Sequence, residues 1–343
     1  MISAQQIMRL AAIVDIARHE SAANGFFTSE PWRPSEFRTI LKDTAFLQVF
    51  EAYVEDYGHR GVGESDMMSP RLADNPEAIL SVIRMQLSSP SQKPGAIQSR
   101  QEHIRAEALV EIKRRMGWRL HRWYTYRWCY RRLCRFFALR ETNRHHLMYF
   151  STAIRNLLLH LGDLLVEQGI CDARDDMFFL TVTERAELIS GENRDWRAMV
   201  RVRRLERERN AAVHPPDTIH DWETACAGSM PTGGDDGTGS LSGLSISTGV
   251  ATGPVRLLRS AADWSKVHPG DIIVAPVIDP GMAPLFGIAG GLIVEMGGTL
   301  SHGAIIAREY GLPTVANIQG LMTRLAEGQC VRVDAGRGMI HLE

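Results

Sequence analysis

The sequence predicts an α + α/β protein, in which an all-helical domain is followed by a compact α/β domain. Three observations support this prediction. Residues 1–226 contain long segments whose apolar residues recur at helical spacing. Residues 244–343 contain short Val- and Ile-rich runs that alternate with Gly and Pro turns, as strands do. Residues 227–243, between these parts, are rich in Gly, Ser, Thr and Asp, which is typical of a flexible linker.

Length and composition agree with two globular domains. The chain has 343 residues, with 44% hydrophobic and 23% charged residues. Its formal net charge of −1 provides no general attraction for nucleic acid or anionic membranes, so we expect neither as a partner. No apolar run is long enough to cross a bilayer and no segment resembles a signal peptide, so we expect a cytoplasmic protein. The five cysteines are scattered without C-x-x-C spacing, so we expect no disulfide framework and no metal site.

Several helices are predicted in the first domain. Residues 1–20 have the pattern of an amphipathic helix. A long helix is predicted from about Arg100 to Phe137, and a second from about Asn143 to Gln168. Gly169 would end the second helix, because glycine is favoured just beyond a helix carboxyl terminus. Thr183 is a candidate amino-terminal cap for a further helix.

The helix predicted from Arg100 combines basic and aromatic residues. Its arginines at 127, 131 and 135 share one face, and Tyr126, Tyr130 and Leu133 follow the neighbouring face. One interpretation is RNA binding through phosphate contacts and base stacking. The other is a helix with a buried aromatic stripe and with arginines that are solvated or paired with carboxylates. The neutral net charge and the absence of an RNA-module signature favour the second interpretation.

The candidate catalytic segment is GGTLSHGAIIAREYG, residues Gly297 to Gly311. It follows an apolar strand, and Ser301 or Thr299 can cap a helix that begins near His302 and ends at Gly311. The amino terminus of a helix presents free backbone N–H groups and the positive end of the helix dipole, which favour a bound phosphate. A neutral imidazole nitrogen is a nucleophile at cellular pH, so His302 is the candidate carrier of a phosphoryl group.

Four neighbours of His302 are candidates for stabilising that phosphate. The hydroxyl groups of Thr299 and Ser301 would donate hydrogen bonds, and Gly298 and Gly303 leave the backbone unobstructed by side chains.

The segment from Gly297 to Gly311 resembles the phosphohistidine swivelling domain of the PEP-utilising enzymes. Its Leu-Ser-His-Gly form is most similar to that of the rifampin phosphotransferases, also called rifampicin phosphotransferases. The resemblance extends to Gly270–Phe286, which is similar to the Asp-Pro segment of the family. It implies that residues 244–343 form a swivelling domain and that His302 is transiently phosphorylated.

The helical part also resembles rifampin phosphotransferases. YGHRGVGESDMMSPRL, from Tyr57 to Leu72, is similar to a segment of their helical domain. The resemblance implies that this segment lines the acceptor-substrate face, which makes His59, Arg60 and Glu64 candidate substrate-facing residues. The alternative for His59 is a hydrogen-bonded loop residue without a substrate role.

Members of this family begin with an ATP-grasp domain that phosphorylates the histidine. No segment of the present sequence resembles that domain, and there is no P-loop. The resemblance therefore implies the back half of a split or truncated three-domain enzyme, with no cofactor of its own and with ATP and Mg²⁺ bound by a separate ATP-grasp partner. His302 would then phosphorylate a small-molecule acceptor. The alternative function is a non-catalytic remnant or ligand-binding module that retains the fold.

A swivelling mechanism also predicts how the two domains meet. The domain that carries His302 has to visit a donor and an acceptor in turn. We therefore expect the domains to share only a small polar interface and the linker.

Overall fold

The computed structural model describes residues 2–88, 94–192, 194–211, 240–259, 261–299 and 301–343. They divide into two compact units. The first contains Met1–Glu64, Pro70–Met148 and Gly234–Glu343, and the second contains Ser65–Ser69 and Tyr149–Gly233. Of the predicted linker, residues 227–239 lie outside the described residues. Its last residues begin the sheet, since the first strand is Ser240–Ser242.

The α + α/β prediction is confirmed, with helices first and a mixed sheet after them. The helices before the sheet are α1 (Ile2–His19), α2 (Ser21–Thr28), α3 (Phe37–Ile40), α4 (Ala45–Tyr57), α5 (Pro76–Ser88), α6 (Pro94–Met116), α7 (Leu120–Glu167), α8 (Val182–Ile189) and α9 (Trp196–Ala211). Two more lie among the strands, α10 (His302–Tyr310) and α11 (Leu321–Arg324). None of the helices in these described ranges is both long and apolar enough to cross a membrane.

The helix boundaries differ from the prediction at two places. The helix predicted from Arg100 to Phe137 is interrupted at Gly117, whose φ of +54° is a left-handed conformation that glycine adopts without strain. The break predicted between residues 137 and 143 is absent, because that stretch contains neither Gly nor Pro and α7 runs through it. The predicted end is confirmed, since Gly169 follows α7 with a φ of +72°.

The cap of α8 also differs from the prediction. Thr181, and not Thr183, caps this helix, and its hydroxyl accepts a hydrogen bond from the Glu184 backbone N–H at 3.3 Å. The Glu184 carboxylate in turn accepts a hydrogen bond from the Thr181 N–H at 2.7 Å, which completes a capping box. The capping box fixes the start of α8 two residues earlier than Thr183 would.

The basic and aromatic face of α7 agrees in part with the second interpretation above. Tyr126 and Tyr130 are half-buried and stack at 6.1 Å between ring centroids, whereas Leu133 is exposed. Arg127 and Arg131 are exposed, and no carboxylate among the described residues forms an ion pair with either. The arginines of this face are therefore solvated.

An eight-stranded mixed sheet forms the carboxyl-terminal part. Its strands are β1 (Ser240–Ser242), β2 (Leu244–Ser247), β3 (Val250–Leu257), β4 (Ile272–Val277), β5 (Gly291–Met296), β6 (Thr314–Ala316), β7 (Cys330–Asp334) and β8 (Met339–Leu342). The order across the sheet is β1-β8-β7-β3-β4-β5-β6-β2. The pairs from β3 to β6 are parallel and the remaining pairs are antiparallel.

Successive residues of the central strands point to opposite sides of the sheet. Ile273 of β4 belongs to one hydrophobic core, and Ile272 and Val274 belong to a second core on the other side. A parallel strand covered on both sides is apolar along its whole length, which explains the continuous Val and Ile runs of the sequence.

The first core joins the sheet to the amino-terminal helices, and the prediction of a small polar interface is therefore wrong. Ile79 and Ile83 of α5 share this core with Trp264 and Leu285, which lie in two short 3₁₀ segments beside the sheet. All four side chains are fully buried. The prediction is based in part on the composition of the linker, which carries no information about the apolar side chains that the two parts bury against each other. The structure thus shows the α/β part docked on the helices.

The second unit has its own small core. Leu165 of α7 packs with Met177, Trp196 and Val200. The Glu184 carboxylate accepts two hydrogen bonds from Arg203, each of 2.7 Å, and these bonds lower the pKa of Glu184 to about 2. This ion pair links α8 to α9.

Candidate functional site

The candidate site begins where β5 ends and α10 starts. His302 is the first residue of α10, and the Ser301 hydroxyl caps the helix by accepting a hydrogen bond from the Ala304 N–H at 3.3 Å. Gly311 ends the helix with a φ of +60°. Both predicted ends of this helix are confirmed. His302 therefore lies in the first turn, where backbone N–H groups have no partner within the helix.

The two glycines beside His302 differ in their surroundings. Gly303 is buried, and a Cβ atom placed on it would lie 2.0 Å from the Cβ of Ile278. Gly298 is exposed, and a Cβ atom placed there would meet nothing within 4 Å. Gly303 thus allows α10 to approach Ile278 closely, whereas Gly298 and the neighbouring Thr299 border open space.

This difference predicts unequal effects of adding a methyl group. Gly303→Ala should lower the free energy of unfolding by about 1–3 kcal/mol, because the new Cβ would overlap the Cβ and Cγ2 atoms of Ile278. Gly298→Ala is the matched control and should change it by less than about 0.5 kcal/mol, because its site is open. Chemical denaturation measures both values. Equal stabilities for the two variants would contradict the packing described for Gly303.

Arg308 holds the loop before His302 in place. Its Nη2 donates to the Thr299 carbonyl oxygen at 2.5 Å, and its Nε donates to the Ile246 carbonyl oxygen at 2.8 Å. One guanidinium of α10 therefore ties the loop to strand β2. No sequence pattern predicts these contacts of Arg308, because both of its acceptors are backbone carbonyl groups.

The Asp-Pro turn connects α10 to the segment from Tyr57 to Leu72. Ile278 packs against Gly303, and the next residue, Asp279, accepts a hydrogen bond from the Gly63 N–H at 3.0 Å. A Cβ atom on Gly281 would lie 2.4 Å from the carbonyl carbon and oxygen of Gly61. The structure therefore brings both the His302 turn and the segment that contains His59, Arg60 and Glu64 into contact with one short turn.

The candidate substrate-facing residues His59, Arg60 and Glu64 are all buried. Arg60 donates from Nε and Nη2 to the Glu64 carboxylate at 2.7 and 3.2 Å. Arg144 of α7 donates to the same carboxylate at 3.0 Å. Glu64 is thus enclosed by two guanidinium groups. The role of these residues toward a substrate stays a prediction.

Two histidines lie beside this ion-pair cluster. The rings of His59 and His145 are in edge-to-face contact, with 4.4 Å between their centroids. Burial, and then the nearby His145, Arg60 and Arg71, lower the pKa of His59 to about 3. The pKa of His145 is also lowered, chiefly by burial and by Arg60. Both imidazoles are therefore neutral at pH 7.

The lowered pKa of His59 predicts a pH dependence of stability. Below its ordinary pKa of 6.5, the unfolded chain binds a proton that the folded chain does not. The free energy of unfolding should therefore fall as the pH decreases from about 6 to 4, by about 1.4 kcal/mol per pH unit from this residue. Denaturation at several pH values should show that the slope of the unfolding free energy against pH is shallower for His59→Gln than for the wild type. The exposed His341 provides the control, since His341→Gln should keep the wild-type slope. A slope that His59→Gln leaves unchanged would contradict the neutral buried imidazole.

Two further long-range contacts of the site were not predicted from the sequence. Asp279 carries a local signal, since Asp before Pro commonly caps a helical turn, but its partner Gly63 lies 216 residues away. Arg144 is 80 residues from Glu64 and carries no local signal of that contact. Within the described residues, no group of three or more His, Cys, Asp or Glu side chains is arranged to hold a metal ion.

Comparison with known proteins finds similarity in both parts of the chain. Residues 1–141 match the family described as rifampicin phosphotransferase fourth domain. Residues 267–338 match the PEP-utilising enzyme mobile domain. The resemblance seen in the sequence motifs is therefore confirmed for both parts.

Individual relatives extend the similarity over most of the chain. A rifampicin phosphotransferase from a Streptomyces species is 33% identical over 300 residues, which cover 85% of this chain and 34% of that protein. Another, from Streptomyces sviceus, is 29% identical over 90% of this chain and 36% of its own length. An uncharacterised protein of Mycobacterium tuberculosis is 30% identical over 100% of this chain and 36% of its own. The chain spans about a third of the length of these relatives.

Proposed function

We propose that this chain is a phosphotransferase component of the PEP-utilising enzyme family, in which His302 takes up a phosphoryl group and passes it to a small-molecule acceptor. One observation carries the proposal. His302 opens a capped helix directly after an exposed glycine loop, in the domain that matches the mobile domain of that family. The similarity to rifampicin phosphotransferases supports phosphoryl transfer at the level of the family.

The proposed chemistry proceeds in two transfers. A ring nitrogen of His302 attacks the phosphorus of the donor, so that a P–N bond forms as the donor P–O bond breaks. A hydroxyl oxygen of the acceptor then attacks the same phosphorus, the P–N bond breaks and the hydroxyl proton is released. The free N–H groups of the first turn of α10 and the hydroxyls of Thr299 and Ser301 would stabilise the phosphate charge between these steps.

The donor is the second part of the proposal. No segment of the 343 residues resembles an ATP-grasp domain, so the phosphoryl group has to be supplied from outside them. We propose that a separate ATP-grasp protein, which binds ATP and Mg²⁺, phosphorylates His302 in trans. This chain would then need no cofactor of its own.

A labelling experiment tests the proposed function. The purified chain is incubated with Mg²⁺, with ATP labelled in its β- and γ-phosphates, and with the isolated ATP-grasp domain of a relative. The expected product is a chain carrying an acid-labile, base-stable phosphate, whereas ATP alone should give no label. Rifampicin, which the names of the relatives contain, is the first acceptor to add to the labelled chain.

The control uses the same ATP-grasp domain with the mobile domain of its own enzyme. If that domain is labelled and the present chain is not, the alternative function is favoured. The chain would then be a non-catalytic remnant or a ligand-binding module that retains the fold.

A further inference from the structure

We propose that Asp279 is a positioning residue, which attaches the α/β part to the amino-terminal helices and thereby fixes the position of His302 in the docked state. This attachment is called the seating of the α/β part. Residues 278–281 are here called the docking turn. The phosphoryl-transfer part of this inference rests on the proposed function, whereas the seating itself does not.

The Asp279 carboxylate joins the two parts directly. One oxygen accepts a hydrogen bond from the Gly63 N–H at 3.0 Å, and the other accepts from the Gly281 N–H at 3.1 Å. Bonds from backbone N–H groups to a carboxylate are stronger than bonds between neutral groups. A single side chain therefore holds the docking turn in shape and attaches it to the loop that contains Arg60 and Glu64.

The backbones of the two parts also meet at this point. A Cβ atom on Gly281 would lie 2.4 Å from the carbonyl group of Gly61, a distance that no side chain tolerates. The glycine at this position thus permits the turn to sit on the opposing backbone. Farther along, the Gln86 side chain donates to the Pro284 carbonyl oxygen at 3.4 Å, so the contact continues into α5.

Asp279 acts on His302 through two intervening residues. Ile278 precedes Asp279, and its Cβ lies against Gly303 so closely that a Cβ on that glycine would be 2.0 Å away. Gly303 follows His302 in the first turn of α10. A movement of the docking turn is consequently a movement of the start of α10.

The electrostatics of the docking turn favour a reversible attachment. Burial and then the nearby Glu64 raise the pKa of Asp279, while the two backbone N–H groups and Arg144 oppose that rise. A carboxylate in this environment loses hydration on docking and regains it on release. The two N–H bonds offset part of this cost in the docked state.

Hydrogen exchange tests the seating without any activity. In Asp279→Ala, we expect peptides that cover residues 57–72 to exchange at least about tenfold faster, while β4 and β5 keep their protection. Asp279→Asn should restore part of the protection, because its amide oxygen can accept the Gly63 bond. Asp334→Ala is the control, since Asp334 accepts from the Arg337 N–H at 3.2 Å in the turn between β7 and β8, in the same part of the chain. Wild-type exchange of residues 57–72 in Asp279→Ala would overturn the proposal. If Asp279→Ala does not fold, the exchange of residues 57–72 in Asp279→Asn is compared with that of the wild type. Exchange equal to that of the wild type would then overturn the proposal.

The labelling assay separates positioning from a general structural role. Asp279→Ala should accept phosphate from the ATP-grasp domain at a rate within about twofold of wild type, but pass it to the acceptor at least about tenfold more slowly. Equal losses in both steps would overturn the positioning role. If no chain is labelled at all, the proposed function fails, and the exchange result alone decides whether Asp279 seats the domain.

Discussion

Glu64→Ala should lower the free energy of unfolding by about 3–5 kcal/mol, because it leaves the buried Arg60 guanidinium without its carboxylate. Glu64 is fully buried, and it accepts three hydrogen bonds of 2.7 to 3.2 Å from Arg60 and Arg144. Arg60 is itself only 1% exposed, so water cannot replace the lost carboxylate. Chemical denaturation of the wild type and the variant measures the difference.

An exposed ion pair of the same unit provides the matched control. Glu51 accepts a hydrogen bond from Arg38 at 3.4 Å, and both side chains are more than half exposed. Glu51→Ala should therefore cost no more than about 1 kcal/mol. Glu64→Gln should fall between the two, since an amide oxygen still accepts but carries no charge. A Glu64→Ala variant as stable as Glu51→Ala would show that the cluster does not hold the Tyr57–Leu72 segment in place.

The features that the sequence predicted well have local causes. Ser301 and Gly311 delimit α10 through bonds to residues within one helical turn, so a short motif is sufficient to place them. The central strands were predicted from Val and Ile runs, whose apolar character follows from burial on both faces. By contrast, β6 has three residues, too few to show any periodicity.

The features that the sequence could not predict depend on long-range packing. The apolar residues of α5 and those around Trp264 are equally consistent with two separate cores and with the one core observed. Asp279 and Gly63, like Glu64 and Arg144, meet only when distant segments fold together. The uninterrupted α7 is different, since the lack of Gly and Pro between residues 137 and 143 is a local signal that the helix continues.

The docked α/β part changes the interpretation of the swivelling mechanism. The interface is apolar and shares a core with the helices. Under the proposed function, this structure would be one docked position of a phosphoryl carrier, which would have to leave it to meet the donor. The hydrogen bonds of Asp279 would then give this docked position a specific attachment that can be broken and reformed.

The central claim is that His302 carries the phosphoryl group. His302→Ala should abolish all acid-labile label from the ATP-grasp domain and ATP. The variant should lose on the order of 1 kcal/mol of stability at most, because a residue in the first turn of a helix contributes little to the core. His302→Asn should likewise fold and remain unlabelled, since an amide nitrogen is not a nucleophile. His341→Ala should keep the wild-type label.

Mapping the phosphate to a residue tests this claim most directly. The labelled wild-type chain is digested at neutral or basic pH, which preserves a phosphohistidine, and the modified peptide is sequenced by mass spectrometry. We expect one phosphorylated residue, His302, in the wild-type chain and no phosphorylated peptide from His302→Ala. Phosphate on His59 or His146, or label that persists in His302→Ala, would contradict it.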